Sequence, residues 1–219
     1  MLMALSPLDD DAASASLVPR HALHAPSLHV HMAGDRERAG VEAFIHRVFA
    51  ERFGADVRQF APVLVSLQDR GEIVAAAGYR GAAGTALFLE RYLPAATETL
   101  LADPDDARPE RRAIVEVGHL AASRSGAGRR LIALLGPHLA AHGFVWVVGT
   151  ITSELRHLFM RIGVTPLALG VADPAALGAD AANWGSYYDH RPVVLAGHLH
   201  QALRRLGRRT GSSTPESRA

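Results

Sequence analysis

The spacing of apolar runs constrains this chain more than any other feature. Two strand-like runs, 62–68 and 72–80, meet at Asp69-Arg70-Gly71, whereas beyond residue 110 strand-like and helical runs alternate. A short polar turn closing on glycine joins antiparallel neighbours into a hairpin. Alternating strands and helices instead require helices packed over a sheet. A chain that does both predicts a mixed sheet with helices on both faces, not a doubly wound parallel one.

The remaining elements follow the same reading. "SLHVHMA" (27–33) reads as a first short strand. Residues 35–54 read as a helix: Asp35 can cap it, Val41, Phe44, Ile45, Val48, Phe49 and Phe53 make one stripe, and Gly54 ends it. A short helix is expected near "AATETLLAD", then a strand at 111–122. A helix with Leu131, Leu134, Leu135 and Leu139 on one face follows, which Pro137 should bend or interrupt. Next come a buried strand at 144–151, a helix at 152–163, a further strand in "VTPLALG", a mostly looped stretch at 173–191 and a last strand at 192–199. Residues 1–25 lack periodicity and read as a disordered tail, 26–200 as one domain, and 201–219 as a flexible basic tail.

Composition removes several chemistries. All 23 basic residues are arginine, so a lysine Schiff base and a Walker-type phosphate loop are excluded. Without cysteine there is no thiol nucleophile and no cysteine metal site. A formal net charge of +1 sets up no global field for nucleic acid or membrane. The first residues lack a basic, then apolar, signal pattern, and no apolar run is long enough to span a bilayer; a cytoplasmic protein is expected. His21, His24, His29 and His31 are not completed by an Asp/Glu/His set, so no metal is expected.

The sharpest local question is the glutamate in "VEVGHLAA" (115–122). A carboxylate in a buried strand is costly unless paired or hydrogen-bonded. Glu116 is therefore either half of a structural ion pair, with Arg80 or Arg156, or a general base whose pKa burial raises. Gly118 suggests a bulge, because strand glycines often mark one. One extra residue would bring Glu116 and His119 to the same face and splay the strand from its neighbour. Just beyond, "SRSGAGRR" (123–130) opens a helix with glycines and arginines. Free N–H groups at a helix start suit phosphate, and Arg124, Arg129 and Arg130 add charge. The aromatic loop "NWGSYYD" offers Trp184 to a substrate and Tyr187 or Tyr188 as an acid for a departing thiolate.

The element order resembles the GNAT acyltransferase fold. "AAGYR" (76–80), "LFLERYL" (87–93), "VEVGHLAA" (115–122), "LRHLFMRIG" (155–163) and "WGSYYDHRPVVLAG" (184–197) resemble the thermostable hemolysin family more closely, and the glutamate strand is also similar to that of acyl-homoserine-lactone synthases. The resemblance implies an α/β, GNAT-like mixed and mostly antiparallel sheet, splayed in the middle, with helices on both faces. It implies transfer of an acyl group from acyl-CoA, or from acyl carrier protein phosphopantetheine, to an amine or similar nucleophile. On that reading Glu116 is the base. Gly118, His119, Leu120, Ala121 and Ala122 position the thioester. Arg124, Gly126, Ala127, Gly128, Arg129 and Arg130 hold phosphate, although Ser123 stands where the GNAT signature has Gln or Arg. Arg80, Arg156 and Trp184 face the substrate. The family name itself implies a membrane-damaging protein, and a non-catalytic GNAT-fold binding protein is the third expectation.

Overall fold

The structure, a computed structural model, describes residues 26–102, 108–161 and 165–211. The strands are β1 (Ser27–His31), β2 (Val63–Asp69), β3 (Glu72–Gly81), β4 (Ile114–Ala122), β5 (Trp146–Ile151), β6 (Leu167–Val171) and β7 (Val193–His198). The helices are α1 (Arg38–Phe53), α2 (Thr97–Leu100), α3 (Ala127–Ala141), α4 (Ser153–Arg161) and α5 (Leu199–Gly211). The strands form one open seven-stranded sheet in the order β1-β2-β3-β4-β5-β7-β6. Every neighbouring pair is antiparallel except β4 with β5. This is the mixed, mostly antiparallel GNAT-like sheet expected from the sequence.

Local chemistry sets the turns. Arg70 (φ 54°) and Gly71 (φ 81°) are both left-handed, the conformation that matches a tight turn to the twist of its hairpin strands. Gly54 ends α1 in the left-handed region at φ 64°. Asp35 does not cap α1; its carboxylate accepts from the Met32 N–H at 2.5 Å, one turn earlier. Pro137 does not interrupt α3, which runs through it with Leu131, Leu135 and Leu139 buried along one side. That stripe anchors the helix despite the missing N–H, while Leu134 lies off it at 36% exposure.

Two cores lie on opposite faces. On one, α3 packs over Val65, Ala75, Ala77, Tyr79 and Val115. On the other, α1 packs over Leu64, Ala76 and Ala121. A third cluster, with Leu87, Leu89, Ile114, Val148 and Val194, fills the far side of the centre. The stretch expected as loop at 173–191 holds two 3-10 segments, Pro174–Trp184 and Tyr187–His190. Residues 201–211, expected within a flexible tail, belong instead to α5, because Leu199 and Leu203 find an apolar seat in the α3 core. The expected N-terminal tail at 1–25 and the last residues, 212–219, lie outside the described residues.

Candidate active site

β4 and β5 run parallel for only three registers: Ile114 with Trp146, Val115 with Val147, and Glu116 with Val148. Beyond Glu116 the two strands part, so the sheet carries the splay expected between them. At the point of parting, β5 comes close: a Cβ on Gly149 would stand 2.7 Å from the Val117 carbonyl oxygen. Glycine is required there by that approach, not by backbone angle.

The bulge is real, but Gly118 does not carry it. On β3, Ala76 pairs with Ala121 and Gly78 with Gly118, so Ala77 stands against both His119 and Leu120. The left-handed residue is His119, at φ 53°. A non-glycine residue held there costs about 1–3 kcal/mol. The extra residue switches the faces of β4 as anticipated. Val117 and Leu120 both pack on the α3 side, whereas Ala121 and the His119 ring lie on the α1 side, the ring beside Phe49 and Phe60. Burial lowers the His119 pKa to about 4, with Arg80 adding to the effect and a hydrogen bond to the Gln59 backbone opposing it. Its Nδ1 is buried without a hydrogen-bond partner among the described residues.

Glu116 is 8% exposed at the apex of the splay. The Phe88 N–H donates to one carboxylate oxygen at 2.8 Å, and the Leu89 N–H to the other at 3.0 Å. Arg80 stands 3.7 Å away. Burial raises the carboxyl's pKa, against the lowering pull of Phe88 N–H, Arg80 and Leu89 N–H. The ion-pair expectation is thus met by Arg80 at long range, while Arg156 is exposed on α4 and makes no bond to Glu116. The stronger partners, two backbone amides, were invisible in the sequence because they lie 27 and 28 residues away along the chain.

Those amides open the 3-10 segment Phe88–Tyr92, a strap across the site. Arg111 and Glu90 hold the strap from behind: Arg111 donates to Glu90 at 2.8 Å and to Glu98 at 2.5 Å. Desolvation works to raise the Glu90 carboxyl, but hydrogen bonds from Arg111, Thr97 N–H and Leu87 N–H outweigh it and bring it down to about 2.

The "WGSYY" loop is docked on the end of α1. The Ser186 N–H and hydroxyl both donate to the Phe53 carbonyl, at 2.8 and 3.2 Å. Gly185 is at φ 51°, and a Cβ on it would stand 2.0 Å from the same oxygen. Trp184 and Tyr187 pack on Phe49, and Trp184 also meets Phe88 of the strap. The Tyr187 hydroxyl donates to the Thr150 carbonyl of β5 at 3.2 Å. The Tyr188 and Tyr92 hydroxyls are 2.6 Å apart. Burial raises the pKa of all three tyrosines. Tyr92 was missed as a site residue, although "LFLERYL" stood out as a distinctive stretch.

At the other end of β4, Gly126 (φ 81°) starts α3, as expected. Arg124 turns away from this helix start: it donates to Glu72 at 2.7 Å and reaches Asp69 at 3.5 Å, tying the turn to the β2–β3 hairpin. Arg129 and Arg130 are exposed at the first turn of α3. Ala127 is buried in the core, and Gly128 lies against Ala122. Among the described residues no group of His, Asp and Glu could hold a metal ion.

A splayed mixed sheet, with a glycine-opened helix behind one strand and a buried carboxylate at the apex, defines the GNAT-like class of fold. Within it, the chain belongs to the thermostable hemolysin family, whose model matches residues 31–203. No curated protein sequence matches it. Among solved structures it is similar to TofI in an apo form, at 22% identity and TM-score 0.57, over 83% of this chain and 96% of that one. It is similar to the CoA-dependent acyl-homoserine lactone synthase BjaI with SAM and isopentyl-CoA, at 14% identity and TM-score 0.55, over 87% and 92%. It is also similar to FeeM, an N-acyl amino acid synthase from uncultured soil microbes, at 10% identity and TM-score 0.55, over 81% and 94%. Among the described residues no helix is long and apolar enough to cross a membrane.

Proposed function

We propose that this protein transfers an acyl group from a CoA or acyl carrier protein thioester to an amine or similar small nucleophile. The observation that carries the proposal is the end of the β4–β5 ladder at Glu116 and Val148. Past that point the β5-facing backbone of β4 has no strand partner among the described residues and is available to the amides of a pantetheine arm. Gly118, His119, Leu120, Ala121 and Ala122 supply that backbone. The start of α3, with Gly126, Gly128, Arg129 and Arg130, suits the phosphates. The relatives named for CoA-dependent and N-acyl chemistry share the fold and support this direction.

Glu116 takes the proton from the nucleophile, directly or through one water. A carboxylate has about four lone-pair sites, so the two N–H bonds leave acceptor capacity. Its raised pKa suits a base working near neutral pH. Arg80 beside it and Trp184 in the facing loop line the acceptor side. Tyrosine from the 187–188 loop, an acid for the leaving thiolate, completes the reaction. Positioning two reactants supplies much of the rate. We place the reaction in the cytoplasm, where such donors occur.

The test is a thermal-shift and thiol-release screen of the full chain with CoA, acyl-CoAs and acylated carrier protein against a panel of amines, run beside a vesicle-leakage assay. Stabilisation by a thioester and amine-dependent thiol release are expected. Leakage with no thioester effect would instead favour the membrane-damaging reading that the family name carries.

A further inference from the structure

One side chain carries the connection between β3 and α2. Arg111 lies just before β4, five residues ahead of Glu116 in the same run. A guanidinium has five N–H donors, one on Nε and two on each terminal nitrogen. All of them are committed. Nε donates to the Ala82 carbonyl at 3.0 Å. One terminal nitrogen donates to Glu90 at 2.8 Å and to Glu98 at 2.5 Å, the other to the Thr85 carbonyl at 2.9 Å and to Glu90 at 3.1 Å. The two bonds to Glu90 make a two-point fork. Arg111 thus ties residues 82, 85, 90 and 98 to the root of the strand that bears Glu116.

Within that connection three successive amides are divided between two carboxylates. The Leu87 N–H goes to Glu90 at 2.8 Å, and those of Phe88 and Leu89 go to Glu116 at 2.8 and 3.0 Å. Glu90 also accepts from the Thr97 N–H at 3.0 Å. A Glu90 carboxylate held on both oxygens by Arg111 does not swing forward to take the next amide. Phe88 and Leu89 are therefore left to Glu116.

We propose that Arg111 is the positioning residue of Glu116, and that its fork sets the proton affinity of that carboxylate by fixing which amides it receives. What this does to the rate rests on the acyl-transfer reading. Arg111 itself makes no bond to Glu116 and acts through the strap. Each N–H bonded to an ionised carboxylate holds its pKa down. The charged and titratable groups around Glu116 are Arg80 on β3, Glu90 and Tyr92 on the strap and, beyond Arg80, His119 on its own strand. Glu90 is the one whose charge Arg111 offsets. Loss of the fork therefore raises Glu116 on two counts: weaker amide bonds, and a less shielded carboxylate nearby. Lysine keeps the charge of Arg111 but has a compact ammonium with three donors and no planar fork.

The experiment follows the Glu116 carboxyl carbon by NMR titration in wild type and Arg111→Lys, the signal being assigned by its absence from Glu116→Gln. The midpoint should rise by roughly one unit, the effect of losing about one hydrogen bond to the charged form. The acid limb of kcat/KM for thiol release, which needs Glu116 ionised, should move up with it, so that the loss at neutral pH recovers at higher pH. A merely structural defect lowers the rate at every pH and leaves the midpoint in place. An unmoved or lowered midpoint, or a rate loss without a shift of the limb, would overturn the proposal. Glu98→Gln, which weakens one arm of the fork, is the milder second variant if Arg111→Lys does not fold. Hydrogen exchange at the Phe88 and Leu89 amides should then quicken while that of α1 is unchanged, and wild-type protection at both amides would overturn the proposal. Should wild type release no thiol from any donor, the acyl-transfer reading falls, whereas the titration still decides what Arg111 does to Glu116.

Discussion

Replacing Glu116 by glutamine separates the two explanations of a buried glutamate, and the structure changes what the substitution should do. A carboxylate offers an oxygen to each of the Phe88 and Leu89 amides, at 2.8 and 3.0 Å. A glutamine offers one oxygen and one NH2, so one backbone N–H is left facing a donor. Losing one charge-assisted bond costs about 1.5–3 kcal/mol. Release from burying a charge returns part of this, since burial already disfavours the ionised form. Arg80 adds little, because at 3.7 Å and 30% side-chain exposure it can turn to water. A net loss of ~1–3 kcal/mol follows, which for a domain of this size is a drop in Tm of about 2–12 °C. The assay pairs a thermal melt with thiol release measured well below the variant's Tm. Base chemistry predicts a fall in kcat of about 10²-fold or more with the thioester-induced Tm shift retained. An unchanged Tm would refute the two-amide clamp. A normal rate would refute the base, and loss of thioester binding along with rate would show that Glu116 only holds the strap.

Three further outcomes follow from the geometry. Arg129→Ala with Arg130→Ala should weaken CoA binding about tenfold or more by calorimetry, whereas Arg124→Ala, already paired with Glu72 and Asp69, should weaken it far less; the reverse order would move the phosphate site off the start of α3. Gly185→Ala should unseat the aromatic loop, since the added Cβ would stand 2.0 Å from the Phe53 oxygen at a φ of 51°, and a Trp184 emission spectrum and Tm matching wild type would contradict this. His119, held neutral with its pKa lowered to about 4, contributes stability that is fully present above its unfolded value of 6.5 and lost as pH falls toward 4. Between pH 7 and pH 5 that is at most ~2 kcal/mol, as the residue as a whole is only half-buried. Urea unfolding should show the step in wild type and not in His119→Asn, which accepts the left-handed backbone; equal pH dependence in both would remove His119 as its source.

The sequence by itself determined the elements and their class. The Asp69-Arg70-Gly71 turn, the stripe from Val41 to Phe53 and the run "RRAIVEVGHLAA" are local patterns, and local periodicity decides whether a segment is strand or helix. It also marked Glu116 as anomalous, since an unpaired charge among valines is legible without a structure. Tertiary structure decided what that charge touches. Its partners are the amides of Phe88 and Leu89, and no side-chain pattern announces a backbone donor brought in from a distant strap. It moved the bulge one residue, from Gly118 to His119, because register is fixed by pairing with β3 rather than by the residue best able to bend. It turned Arg124 toward the carboxylates of the hairpin, and it kept α5 helical where composition suggested a tail. It also joined Tyr92 to Tyr188, 96 residues apart in the chain, since hydrogen bonds between distant segments depend on where packing places them and not on spacing.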